Sequence, residues 1–182
     1  MILSDREIWM EISSGRLKFD PPLEPEQVTP SAIDLRLSTK FTTFRPSITG
    51  TATIVDLAAI KNVEQLADAY GQTTTIQFGS YFSLEPDRLV LAYTLESLVI
   101  PNYLAARVEG RSSLARLGIS IHQTAPTVHA TFEGQLRLEL LNRGPFICWL
   151  RPGYKICQLI VERLGSPSQG TLRSAFQNQR QP

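Results

Sequence analysis

Cysteine is scarce. The 182 residues hold only Cys148 and Cys157, with eight residues between them. That is too few for a disulfide framework or a cysteine-based metal site, and it points to the reducing cytoplasm. Histidine is equally sparse, at His122 and His129. Charge of one sign is also missing. Eighteen Lys and Arg against 17 Asp and Glu leave +1, which excludes a generally basic nucleic-acid binder but leaves room for a local basic pocket. No apolar run approaches the ~20 residues of a membrane span. The opening MILSDREIWM is acidic early and lacks the apolar core of an export signal, so no membrane partner is expected. The length fits one domain, with a core large enough to fold without disulfide or metal.

Hydrophobic residues make up 42% of the chain, and their spacing gives its organisation. Ser4 and Glu7 form a capping box, Ile8 and Ile12 share a face, and Gly15 is placed to end a short first helix. Prolines from Pro21 to Pro30 favour extended chain. Period two follows, with Ile33, Leu35 and Leu37 alternating with Asp34 and Arg36. Further strands are expected at 41–45, 73–78, 81–84, 89–94, 106–108, 134–141 and 156–162, with one helix over 62–70. Evenly spaced glycines and prolines suit an antiparallel sandwich or barrel. The expected domain covers 1–165. A polar tail, 166–182, follows it.

The segment EGRSSLARLG, 109–118, brackets Ser112 and Ser113 with Arg111 and Arg116. Guanidiniums beside hydroxyls suit a phosphate chain, while a turn with surface arginines is the bland alternative. In LRLELLN, 136–142, a strand would set Leu136, Leu138 and Leu140 on one face and Arg137 with Glu139 on the other. A partly desolvated Glu139 would suit a general base; a solvent face of a sheet is the alternative. Zinc nucleobase deaminases need H-x-E and P-C-x-x-C. Here His122 precedes Gln123-Thr124, His129 precedes Ala130-Thr131, and no C-x-x-C exists, so no zinc is expected. There is also no P-loop, G-x-G-x-x-G or G-x-S-x-G.

Together these blocks resemble the dCTP deaminase family, within the dUTPase-like superfamily. The resemblance runs through LSDREI, PSAIDLRLS, SLEPDRLVLAYTLESLVIP, EGRSSLARLGISIHQTA, FEGQLRLELLN and RPGYKICQLIVE. It implies a mostly β fold, a distorted antiparallel β-barrel with a few short helices. It also implies a homotrimer with active sites between subunits, and metal-free deamination with Mg²⁺ held only through the substrate triphosphate. Glu139 would be the general base, and Ser112 with the carbonyl of Ala125 would hold the water. Arg116 would orient Glu139. Arg111, Ser112 and Ser113 would face the triphosphate, while Arg137 and Leu138 would line the base pocket. Leu114, Ala115, His129, Gln158 and Gln179 complete the expected substrate contacts. The implied ligands are dCTP and dUTP, with dTTP as an inhibitor.

Two departures stand out. His129-Ala130-Thr131 occupies a place where the family has Asp-Pro-Gly or Asp-Ala-Gly, and that Asp normally meets the deoxyribose. The C-terminal lid has Ala175-Phe176 where the family has Lys-Tyr. The expected reaction converts dCTP and water to dUTP and ammonia, stopping there because no carboxylate stands at position 129. The alternatives are a bifunctional enzyme that goes on to dUMP and a catalytically reduced nucleotide sensor. Leu114, Leu117 and Ile119 are expected to contribute to an interface between subunits.

Overall fold

The structure, a computed structural model, describes residues 1–44, 54–56, 58–59 and 70–170. Its elements are α1 (Asp5–Ser13), β1 (Lys18–Asp20), a 3-10 turn (Pro25–Gln27), β2 (Val28–Thr29), β3 (Ala32–Phe44), β4 (Gly71–Thr75), β5 (Phe82–Leu84) and β6 (Leu89–Val99). Then come β7 (Leu104–Gly110), α2 (Ser112–Ala115), β8 (Ile119–Ser120), β9 (Thr127–Val128), β10 (Glu133–Asn142), β11 (Cys148–Leu150) and β12 (Lys155–Arg163). The expected helix lies, except for Tyr70, outside the described residues, as does the lid with Gln179.

The spine of the fold is an antiparallel sheet ordered β8-β10-β6-β3-β12-β7-β9, with β1 added to β6 and β2 and β4 added to β3. A separate two-stranded ribbon pairs β5 with β11. Register shifts at Leu37/Phe41, Gln135/Arg137 and Lys155/Cys157 interrupt the ladders. Such bulges bend strands and increase twist, so the sheet curls into a half-barrel around its apolar face. The core includes Ile33, Leu35, Leu37, Phe41, Leu138, Leu140, Ile156 and Leu159.

Two expected strands, 33–37 and 41–45, are one strand as far as Phe44; the bulge lets it continue while changing partners. Its polar face is also buried, which alternation alone does not suggest. Glu96, fully buried on β6, accepts from Arg36 Nε at 2.7 Å and Arg36 N at 2.9 Å. It also accepts from Gln27 Nε2 at 2.9 Å. These charge-assisted bonds satisfy a carboxylate that would be costly to bury alone.

At the other end, α1 forms as expected. Ser4 N donates to Glu7 Oε2 at 2.9 Å, Glu7 N returns a bond to Ser4 Oγ, and Gly15 adopts φ 70° just past the end. Ile8 enters the core while Glu11, also buried, binds Tyr103 Oη at 2.6 Å and Arg16 Nε at 2.8 Å. Past Gly165, Ser168 N donates to Asn102 O at 2.7 Å, so this part of the expected tail is tied to the β6–β7 turn.

Candidate active site

β7 ends at Gly110, and Arg111 is still extended, at φ −80° and ψ 133°. One helical turn follows, with Leu114 N and Ala115 N both donating to Arg111 O. Leu114 anchors that turn in the core; Ser112, Ser113, Ala115 and Arg116 remain exposed. A glycine pair fixes where α2 sits. Gly118 has φ 87°, and a Cβ there would come 2.4 Å from Gly144 N. A Cβ on Gly144 would come 1.9 Å from Leu117 O. Only glycine permits this approach, which Arg143 N seals with a 2.8 Å bond to Gly118 O. The turn carrying the hydroxyls is thereby locked to the end of β10, the strand carrying Glu139. Leu114 and Ile119 are buried within the chain itself, and of the three expected interface residues only Leu117 remains exposed. That corrects the interface expectation: the first two pack inward because they anchor α2 and β8.

Arg111 turns toward β12. Its Nη1 donates to Lys155 O at 2.8 Å, and Nη2 lies 3.6 Å from Asp34 Oδ2. Gln158 Nε2 donates to Asp34 Oδ1 at 3.1 Å. Two of the expected substrate contacts, Arg111 and Gln158, are therefore gathered by a buried carboxylate on β3 that the sequence marked only as part of an alternation. Lys155 joins the same cluster, with Nζ 3.7 Å from Asp34 Oδ2. Neither Asp34 nor Lys155 was singled out, because neither lies in the segments with evident chemistry. They do lie in the PSAIDLRLS and RPGYKICQLIVE blocks.

On β10 the pleat separates the faces as expected. Leu136, Leu138 and Leu140 are buried, while Arg137 and Glu139 are half-buried on the opposite side. The side chain of Leu138 therefore points into the core, and only its backbone is available to line a pocket. Glu139 Oε2 accepts the backbone N–H of Gln123 at 3.0 Å. Gln123 Nε2 donates to Ser120 Oγ at 3.1 Å and Glu139 O at 3.2 Å. Gln123 thus positions the carboxylate from the loop that also carries the exposed Ala125. Sequence reasoning missed it because the group at work is a backbone amide. The guanidinium of Arg137 lies 5.6 Å from the Tyr93 ring centroid. No ion pair joins Arg116 to Glu139 within the chain.

His129 is exposed in the turn entering β10, where Phe132 N donates to His129 O at 3.2 Å. Thr131 in that turn has φ 65°, a left-handed conformation that disfavours a β-branched residue. The resemblance drawn from the sequence implies a glycine at this position. An open cleft of about 310 Å³ lies between α2 and β8, lined in part by Gly110, Ala115, Gly118, Ser120 and His122. His122 Nε2 is 3.9 Å from Glu109 Oε2.

Among the described residues, no three of His, Cys, Asp or Glu converge as metal donors. The groups around α2 are cations, hydroxyls and an amide, a set that suits phosphate oxygens. Cys157 is fully buried, and burial, followed by the nearby Glu96 and Asp34 charges, raises its thiol pKa far above the usual range. It is therefore a packing residue rather than a nucleophile.

The chain and its fold have counterparts. A relative from Mycobacterium bovis, named dCTP deaminase, dUMP-forming, is 42% identical over 189 residues, covering all of this chain and 93% of its own. One from Methanobrevibacter smithii with the same name is 36% identical over 170 residues, covering 92% of this chain and 83% of the relative. The crystal structure of 2'-deoxycytidine 5'-triphosphate deaminase from Agrobacterium tumefaciens superposes with a TM-score of 0.70 at 25% identity. That match covers 90% of this chain and 48% of the other, so this chain spans about half its length. The dCTP deaminase-like family profile matches residues 2–164, and with these relatives it establishes that the chain belongs to the dCTP deaminase-like family.

Proposed function

We propose that the protein is an enzyme that deaminates dCTP and carries the product on to dUMP. The observation that carries the first step is Glu139, a half-buried carboxylate fixed by the Gln123 amide and locked through the Gly118–Gly144 contact to the hydroxyl-bearing α2 turn. Glu139 takes a proton from water as the oxygen attacks C4 of the cytosine ring, and passes it to N3. Glu139 next takes the proton of the new C4 hydroxyl and hands it to the amino group, so the tetrahedral adduct expels ammonia and leaves the uracil carbonyl. Ser112 and the carbonyl of Ala125 hold the attacking water, and Arg116 orients the carboxylate. Arg111, Ser112, Ser113 and Gln158 face the triphosphate. Mg²⁺ would arrive on the phosphate oxygens and neutralise part of their charge.

Within one chain Arg116 and the α2 hydroxyls are exposed, and a second copy in a homotrimer, as the resemblance implies, would complete the site there. The second step hydrolyses the bond between the α-phosphorus and its bridging oxygen, giving dUMP and pyrophosphate. This reading replaces the expectation that reaction stops at dUTP, because the relatives named above are called dUMP-forming. The imidazole of His129, in the place of the family carboxylate, can accept a proton from water in its neutral form. Glu139→Gln tests the assignment. Gln keeps the hydrogen bond from Gln123 but accepts no proton, so ammonia release from dCTP should fall by ~10²–10⁴-fold. Release within a few-fold of the unaltered protein would remove Glu139 from the chemistry.

A further inference from the structure

Asp34 is 5% exposed, yet its carboxylate faces two cations and one amide drawn from separate elements. Arg111 comes from the end of β7, and Lys155 and Gln158 from β12. The pairing of Gly110 with Cys157 brings the start of β12 alongside the Arg111 corner. Each cation is further fixed through a backbone carbonyl. Arg111 Nη1 donates to Lys155 O, and Lys155 Nζ donates to Glu26 O. One buried carboxylate therefore meets two positive charges, and one charge is left over. Both cations still reach solvent, with side chains 27% and 30% exposed, and the exposed Ser112 and Ser113 directly follow Arg111 in the chain. A cationic surplus held rigidly on a buried anchor is prepared for an anion at small cost in ordering.

We infer that Lys155 is a further triphosphate-binding residue and that Asp34 is the positioning residue that presents Lys155, Arg111 and Gln158 to the phosphates. The inference rests on the nucleotide reading above and adds to it a residue and an anchor. Asp34 itself does not touch the anion. It sets the directions of three donors, so its loss disperses them and its effect runs through theirs.

The test uses the full chain with inorganic tripolyphosphate in calorimetry and dCTP in steady-state kinetics. Lys155→Met should weaken tripolyphosphate binding and raise the dCTP KM by about tenfold, the usual size of one charge-assisted contact. Lys155→Arg should restore both, because it returns the charge. Asp34→Asn should raise KM too, and Asp34→Asn combined with Lys155→Met should fall well short of the product of the two single effects. Thermal melting of each variant separates a folding defect from a binding one. If Lys155→Met leaves binding and KM within twofold while dCTP is turned over, the inference is wrong and the deaminase reading stands. Effects of the two substitutions that simply multiply would overturn the role of Asp34. If tripolyphosphate binds through Lys155 but dCTP is not turned over, the anion site stands and the deaminase reading falls.

Discussion

Thr131 shows what a single residue reveals once the backbone is known. Its φ of 65° places a β-branched side chain where glycine is at ease. The turn persists because Thr131 N donates to Ile100 O at 3.1 Å and Ile100 N donates to Phe132 O at 2.9 Å. Left-handed strain in a non-glycine residue costs ~1–3 kcal/mol, and the extra freedom of an unfolded glycine gives back ~0.5–1 kcal/mol. Thr131→Gly should therefore stabilise the fold by about 1 kcal/mol and raise Tm by ~2–4 °C in a chain of this size. A lower Tm would mean that contacts of the threonine side chain outweigh the strain. The place of Glu139 on the polar face of β10 was legible in the sequence because its neighbours alternate cleanly. Gln123 was not, because a backbone amide leaves no mark on residue type.

At the scale of elements, α1 depends on a buried charge cluster as much as on its apolar face. Burial by itself would raise the pKa of Glu11, but hydrogen bonds from Tyr103 and Arg16, and the charge of Arg16, hold it below its ordinary 4.5. Burial, followed by Glu11, raises the hydroxyl pKa of Tyr103, so its proton stays in place as a donor. A lowered carboxylate contributes stability above its unfolded pKa and loses it as pH falls through the folded one. The Tm advantage of the native chain over Glu11→Gln should thus be full near neutrality and shrink below about pH 4.5. A gap that stays constant into acid would show that Glu11 acts by shape alone. The capping box and the Ile8 face were readable from local spacing. The distant Glu11 partners were not, since Tyr103 and Arg163, whose Nη2 donates to Glu11 Oε1 at 3.3 Å, lie far along the chain. The merging of two expected strands into β3 was hidden for a related reason: a bulge lets a strand change partners without any turn residue in the sequence.

For the whole molecule, the sheet order joins strands distant in sequence, and no local pattern specifies it. Period-two runs and the quoted blocks were enough for the β class; the half-barrel needed the pairings themselves. In the proposed reading a second copy completes the site at the exposed α2 turn, so assembly would be part of the chemistry. Light scattering should give about 61 kDa, three copies of the 20.3 kDa chain. A mass of one chain at micromolar concentration, together with full activity, would contradict a shared site. The most direct test of the proposed function follows the nucleotides formed from dCTP and Mg²⁺ by chromatography over time. The account predicts dUMP, pyrophosphate and ammonia in equal amounts. Accumulation of dUTP without dUMP, or binding of dCTP without turnover, would contradict it.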